Sequence, residues 1–179
     1  MKTLHLLRHA KSDWDDAALT DHQRPLSRRG VNAAKAMGRT LAAEGFQVDH
    51  IYCSTAQRAR ETYKLLGTAV KGIPTTFHDE LYLVSVDDVL AFIRRAQDTA
   101  GSIMIVGHNP TTHDLAMSFA ARARKGRHKM LQELREKYPT GALCTLRFNV
   151  ARWRNVKPAR GILERFLRPR DLPTVPVPR

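Results

Sequence analysis

The stretch Thr3-Leu4-His5-Leu6-Leu7-Arg8-His9 opens the chain with an apolar run that stops abruptly in charge. A short apolar run without helical period is the pattern of a strand buried on both faces of a parallel sheet, and the charged step marks its C-terminal tip. A second run, Ser102-Ile103-Met104-Ile105-Val106, lies between Gly101 and Gly107 and leads into His108-Asn109. It reads as a central strand. Ligands of open α/β sheets bind outside the carboxyl ends of the strands, so Arg8-His9 and Gly107-His108-Asn109 stand where a site is expected.

Between these runs strand-like and helix-like segments alternate. Residues 13–24 are polar and carry four aspartates, and Pro25-Leu26 closes that loop. Ser27 is placed as an N-cap, with Val31, Ala34, Met37, Leu41 and Ala42 following at roughly helical spacing until Gly45. Residues 48–53 form the next short strand. Ser54-Thr55-Ala56 then caps a helix carrying Arg58, Glu61, Thr62, Leu65 and Leu66, which Gly67 ends. Residues 75–77 are extended and 86–96 helical, while Pro110-Thr111-Thr112 opens a helix over 113–121. The alternation over 142–150 suits a strand, and a last edge strand covers 161–166. This order predicts an α/β fold, a three-layer α/β/α sandwich around a mainly parallel sheet. One domain is expected over 1–170, with 171–179, containing Pro173, Pro176 and Pro178, as a proline-rich tail.

Composition narrows the function classes. At 179 residues the chain can bury a core without disulfides or metals. No stretch approaches the length of a membrane span, and the N-terminus has no secretory h-region, so a cytoplasmic protein with no membrane partner is expected. Its two cysteines, Cys53 and Cys144, read as reduced core thiols. Lys and Arg number 30 against 17 Asp and Glu, a formal charge of +13. Much of the excess lies in residues 122–137 and in the chain after Arg152. The 122–137 stretch reads as a solvated face, with an acidic partner or the steering of acidic substrates as the alternative. Without interleaved aromatics it lacks the stacking surface of a nucleic-acid platform, and no nucleic-acid partner is expected.

Several chemistries drop out. No G-x-G-x-x-G follows the first strand and no G-x-x-x-x-G-K-[ST] occurs, which removes the usual nucleotide phosphate cradles. His5 and His9, four apart on a strand, stand roughly 13 Å apart at about 3.3 Å per residue and cannot share a metal ion. His108 and His113 have no carboxylate at a recognised metal spacing. What remains is an anion site with neither metal nor cofactor. Arg8 and Arg58 each offer a planar fork for two phosphoryl oxygens, and Arg58 lies near a helix N-terminus that itself favours an anion.

Taken together, these strings resemble the histidine phosphatase superfamily, the group of the phosphoglycerate mutases and acid phosphatases. Its R-H-G signature corresponds to Arg8-His9-Ala10, its S-x-x-x-R-A element to Ser54-Thr55-Ala56-Gln57-Arg58-Ala59, and its G-H element to Gly107-His108. Leu7-Arg8-His9-Ala10-Lys11-Ser12-Asp13-Trp14, Leu81-Tyr82-Leu83, Val106-Gly107-His108-Asn109-Pro110 and Pro139-Thr140-Gly141-Ala142 are similar to the SixA-type phosphohistidine phosphatases. The resemblance implies a phosphoglycerate mutase-like fold and a hydrolase acting through a phosphohistidine on His9. Imidazole attacks only through an unprotonated nitrogen, so the other ring nitrogen of His9 should be held as a donor by a backbone carbonyl. Arg8, Arg58 and a protonated His108 would neutralise the equatorial oxygens.

Glu80 falls where the superfamily commonly keeps its acid, with Asp79 as the alternative, and Ser12 and Asn109 are candidate substrate-binding donors at the rim. Two departures matter. Ala10 replaces a glycine of many relatives, and the short interval from Glu80 to His108 lacks the insertions with which mutases enclose the phosphoenzyme. An open pocket favours hydrolysis, with protein phosphohistidine as the expected substrate. The alternatives are a phosphomonoesterase for a small phosphorylated metabolite and a non-catalytic module that binds phosphorylated partners.

Overall fold

The computed structural model describes residues 1–123, 125–126 and 128–173. Among these, seven strands form one sheet in the order β3-β2-β4-β1-β6-β7-β5. The elements are β1 (Lys2–Arg8), α1 (Arg28–Ala43), β2 (His50–Ser54), α2 (Gln57–Leu65), β3 (Thr75–His78), α3 (Val86–Arg94), β4 (Ser102–Gly107), α4 (Thr111–Phe119), β5 (Ala120–Ala123), α5 (His128–Glu136), β6 (Leu143–Phe148) and β7 (Gly161–Leu167). The β1–β4, β2–β4, β2–β3 and β5–β7 pairs are parallel, and the β1–β6 and β6–β7 pairs are antiparallel. The sheet is therefore mainly parallel, as expected.

Both faces of the sheet are covered, which explains why β1 and β4 read as unbroken apolar runs. On one face Leu7, Ile51, Cys53, Met104 and Val106 pack with Met37 and Leu41 of α1 and Ala59 of α2. On the other, Leu4, Leu6, Ile103 and Ile105 pack with Val89 and Ile93 of α3, Leu115 and Phe119 of α4 and Leu134 of α5. Leu4, Leu6 and Leu7 are all essentially inaccessible, and at roughly 1.5–3 kcal/mol for each buried side chain they fix β1 in the centre of the sandwich.

Local signals act where the sequence places them. Ser27 accepts the Gly30 N–H at 3.2 Å as N-cap of α1, and Gly45, at φ 64°, turns the chain out of that helix. Gly30 itself packs against the backbone of Lys11, with no room there for a Cβ. Cys53 and Cys144 are free and buried.

The strand over residues 161–166 is not an edge. β7 lies between β6 and β5, and β5 forms the edge. Ala120-Ala121-Arg122-Ala123 has weak strand propensity, so only its pairing with β7 makes it a strand. The basic stretch after it contains α5, whose Leu134 is fully buried while Lys129 and Arg135 stay in solvent. Glu133 of the same helix takes Arg168 at 2.9 Å, so part of the local positive charge is neutralised within the fold. Arg124 and Arg127 of that stretch lie outside the described residues, as do 174–179 of the expected tail. The boundary expected at 170 falls within the 3-10 turn Pro169–Asp171, and Leu172 beyond it is buried. No helix among the described residues is long and apolar enough to cross a membrane.

Candidate active site

Sheet register assembles the site. Arg8 of β1 is level with Gly107 of β4, so His9 and His108 leave the sheet side by side, with ring centroids 5.0 Å apart. Cys53 of β2 is level with Val106, which brings Ser54 to the same end. Its hydroxyl lies 2.8 Å from His108 Nε2. The third contribution comes across the antiparallel pair. Gly141, at φ 76°, donates its N–H to the carbonyls of Arg8 and His9 at 3.1 and 3.0 Å, and Ala142 accepts from Arg8 N–H at 3.0 Å. The Tyr138 carbonyl meanwhile accepts from Arg8 Nη1 at 2.7 Å.

His9 is the best-defined group. Its Nδ1 is 2.7 Å from the Ala10 carbonyl, which can only accept, so Nδ1 carries the proton and Nε2 a lone pair in the neutral ring. Burial, reinforced by the charges of Arg58 and Arg8, pushes the imidazole down to about 4, against the opposing pull of the Ala10 carbonyl and Asp21. At neutral pH the ring is uncharged, and its Nε2 lone pair is available for attack. Ala10 is held in turn, because its N–H reaches Thr62 Oγ1 at 2.9 Å and that hydroxyl donates to the Arg58 carbonyl at 2.6 Å. The loop carrying His9 is thereby fastened to α2.

Two cations, Arg58 and Arg8, lie near enough for their charges to act on His9. Arg58, at the second position of α2, is buried and fixed by Asp21 of the loop before Pro25. Its Nη1 donates to the Asp21 carbonyl, and its Nη2 lies 2.9 Å from Asp21 Oδ2. Tyr82 donates its hydroxyl to the same Oδ2 at 2.7 Å and packs edge-on to His108. These contacts hold the Asp21 carboxyl below its ordinary range, the Tyr82 hydrogen bond contributing most. Arg8 Nε and His108 Nδ1 are buried and have no hydrogen-bond partner among the described residues. A buried Arg8 Nε–H costs about 1–3 kcal/mol when unpaired, so it marks where an anion would be welcome, and His108 Nδ1 joins it as a donor once that ring is protonated.

Protonation of His108 differs from expectation. Burial, then His9 and Arg58, push its imidazole down to about 3, so it is neutral beside this set of protein charges. Only an added anion such as a phosphoryl dianion can raise it enough to hold a proton at neutral pH.

The remaining sequence candidates do not all converge. Glu80 faces outward and pairs with Arg95 at 2.8 Å, both side chains being largely exposed. Asp79 accepts from Thr55, whose hydroxyl also meets His22 Nε2 at 3.0 Å. Ser12 is buried, and its oxygen accepts the Trp14 indole N–H at 3.1 Å. Asn109 Nδ2 lies 3.3 Å from the Tyr138 carbonyl, leaving its buried Oδ1 without a partner among the described residues. Ala56, the N-cap of α2, has no polar side chain to cap with; Ser54 Oγ accepts the Ala56 N–H at 3.3 Å besides meeting His108, and the Thr55 hydroxyl goes to Asp79. Asp21, Tyr138 and Ser54 escaped sequence reasoning as site residues. Ser54 alone carried a signal, as the first residue of the S-x-x-x-R-A element.

Known proteins resemble the chain in sequence and in fold. Residues 4–89 match the sequence model of the histidine phosphatase superfamily (branch 1), a segment that includes Arg8, His9 and Arg58. An uncharacterized protein of Mycobacterium tuberculosis is 35% identical over 164 residues, covering 92% of this chain and all of that protein. A candidate phosphohistidine phosphatase SixA from Nakamurella multipartitia superposes with a TM-score of 0.77 at 30% identity, over 94% of this chain and 96% of that one. Its counterpart from Agrobacterium tumefaciens gives 0.75 at 30% identity, over 93% and 97%. The chain belongs to the histidine phosphatase superfamily. Within that class it is of the SixA type, with a phosphoglycerate mutase-like fold, and it is a hydrolase acting on phosphoryl groups.

Proposed function

We propose that the protein hydrolyses phosphohistidine carried on another protein, through a covalent phosphohistidine at its own His9. The observation that carries this reading is the free Nε2 of a neutral, backbone-anchored His9 beside two buried, unpartnered nitrogens, Arg8 Nε, a donor, and His108 Nδ1, a donor once that ring is protonated. Nε2 attacks phosphorus in line, the P–N bond of the substrate breaks, and the departing imidazole recovers its proton from solvent. Arg8, Arg58 and a His108 protonated through the bound dianion stabilise the equatorial oxygens. Water then attacks the phosphorylated His9, releasing inorganic phosphate and restoring the neutral ring.

The choice of phosphohistidine over an alkyl phosphate rests on Glu80. An alkoxide needs a proton as it leaves, whereas imidazole departs far more readily. Glu80, the expected acid, is committed to Arg95 on the surface, away from the histidine pair. Asp21, the carboxylate whose charge acts on both His9 and His108, is kept ionised by Tyr82 and Arg58 and so is a poor acid. Ser12 and Asn109 remain rim donors for the substrate in this reading, and its setting is the cytoplasm, where Cys53 and Cys144 stay reduced.

Rapid-quench mass spectrometry with a phosphohistidine peptide tests the proposal. Wild type should accumulate a phosphoryl group on His9 that water clears, and His9→Ala should show neither label nor turnover. Glu80→Gln should leave phosphohistidine hydrolysis within about twofold of wild type. A large loss in Glu80→Gln, together with good turnover of alkyl phosphates by wild type, would favour a phosphomonoesterase. Binding without turnover in both proteins would point to a non-catalytic module.

A further inference from the structure

A second concavity, of about 210 Å³, opens beside the loop that carries His9. Its rim bears four exposed cations, Lys11, Arg29, Lys137 and Arg170, and no acidic residue among the described residues lines it. Lys11, Arg29 and Lys137 form no ion pair with another described residue. Arg170 approaches only Asp171, at 3.9 Å, and that carboxylate is already taken by Arg168 from two nitrogens. Arg168, the fifth basic residue, is spent internally on Asp171 and Glu133.

The cations are brought together by the same contacts that build the active site. Gly30, lacking a Cβ, lets the first turn of α1 press on the Lys11 backbone, and Ser27 donates its N–H to the Lys11 carbonyl at 2.9 Å. Arg29 is thereby set next to Lys11. Gly141, whose N–H clasps the Arg8 and His9 carbonyls, packs against Pro169 and Ala10, which draws Arg170 and the 137–140 segment to the same wall. Lys11 is two residues from His9, so at about 3.3–3.6 Å of reach per residue the groove begins roughly 7 Å along the chain from the nucleophile. Four like charges within such a space lie within about one Debye length of one another and repel. An anionic occupant relieves that repulsion.

We propose that this groove is a docking subsite for an acidic segment of the phosphorylated protein substrate, taking Asp or Glu side chains two to four residues from the phosphohistidine. This inference rests on the function proposed above and names its substrate class more narrowly. The volume favours side chains over a nucleotide, since small-molecule pockets run to about 300–1,000 Å³. It also moves the acidic contact away from the 122–137 stretch, of which only Lys137 lines the groove.

The test compares wild type with the triple variant Arg29→Ala, Lys137→Ala, Arg170→Ala, none of which touches the His9 pocket. Two ten-residue peptides phosphorylated on a central histidine serve as substrates, one with flanking Asp and Glu and one with Ser and Gly, together with phosphoramidate. Wild type should prefer the acidic peptide, and the variant should raise its KM about tenfold at unchanged kcat, with exposed ion pairs contributing roughly two- to threefold each. Phosphoramidate turnover should not move. Equal KM values for the acidic peptide in the two proteins would overturn the proposal. If wild type turned over no phosphohistidine at all, calorimetric titration with the unphosphorylated acidic peptide would still decide it. Binding to wild type and not to the variant upholds the groove, whereas binding of inorganic triphosphate without binding of the peptide refutes it.

Discussion

Replacing Gly30 by alanine tests the packing that holds the nucleophile loop in place. An alanine Cβ at this position would stand 2.1 Å from the Lys11 carbonyl oxygen and 3.0 Å from Lys11 C and N, all of them backbone atoms that no rotamer change can move. To restore even a 3.0 Å contact, α1 and the Lys11 loop must part by the difference, 3.0 − 2.1 = 0.9 Å. In an exposed helix the same change would stabilise by about 1 kcal/mol through helix propensity. Overpacking of this kind costs about 3 kcal/mol where backbone meets backbone, so the net loss is about 2 kcal/mol. For a chain of this size that lowers Tm by about 4–8 °C. The displaced segment adjoins Ala10, whose carbonyl fixes the His9 tautomer, and a misplacement near 1 Å can cost about a hundredfold in rate. Differential scanning calorimetry and kcat on phosphoramidate, measured well below the variant's Tm, read the two effects separately. A variant as stable and as active as wild type would refute the argument that this contact positions the loop.

Three further outcomes follow from the site. Because His9 is pushed down to about 4, the rate of its phosphorylation should be flat from about pH 8 to pH 5 and fall with a midpoint near 4; a midpoint near 6.5 would show that the ring is not desolvated. Buried His5 is likewise held down to about 4 by desolvation and then by Arg165, so the unfolded chain binds more protons between that value and 6.5. Stability should be fullest above 6.5 and fall on acidification through this window, by about 2 kcal/mol from His5 alone at pH 5, as urea unfolding at pH 7 and pH 5 would measure. Arg58→Lys keeps the charge but cannot reach both the Asp21 carbonyl and carboxylate while also facing a phosphoryl group. It should lower kcat/KM about 10²–10³-fold with the fold intact by circular dichroism, and a value within threefold of wild type would remove Arg58 from the anion site.

The parts legible in the sequence are those set by short-range rules. Apolar runs bounded by glycine or charge located β1 and β4, Ser27 and Gly45 delimited α1, and because register aligns strand tips, Arg8, His9 and His108 converge as their positions in the chain suggested. What escaped depends on tertiary pairing. Alternation over 142–150 identified a strand but carried no direction, and β6 runs antiparallel to β1. Ala120–Ala123 is a strand only because β7 lies beside it. Asp21 sat unremarked among four aspartates of a polar loop, since its meaning comes from Arg58, far along the chain. Glu80 shows the converse limit. Its position suggested an acid at the pocket, yet side-chain direction places it on Arg95.

The clasp of Gly141 on the Arg8 and His9 carbonyls bears on how the molecule folds. It joins the first strand to a segment more than a hundred residues later, so β6 pairs with β1 only by closing a loop of that length. Loop-closure entropy of that range has to be met before the contact returns any stabilisation, which makes a high-contact-order sheet slow to form. The surroundings of His9 are therefore completed late, and no N-terminal fragment ending before Gly141 can hold them. Recovery of catalytic turnover during refolding should lag the recovery of helical signal, so that activity reports completion of the whole sheet.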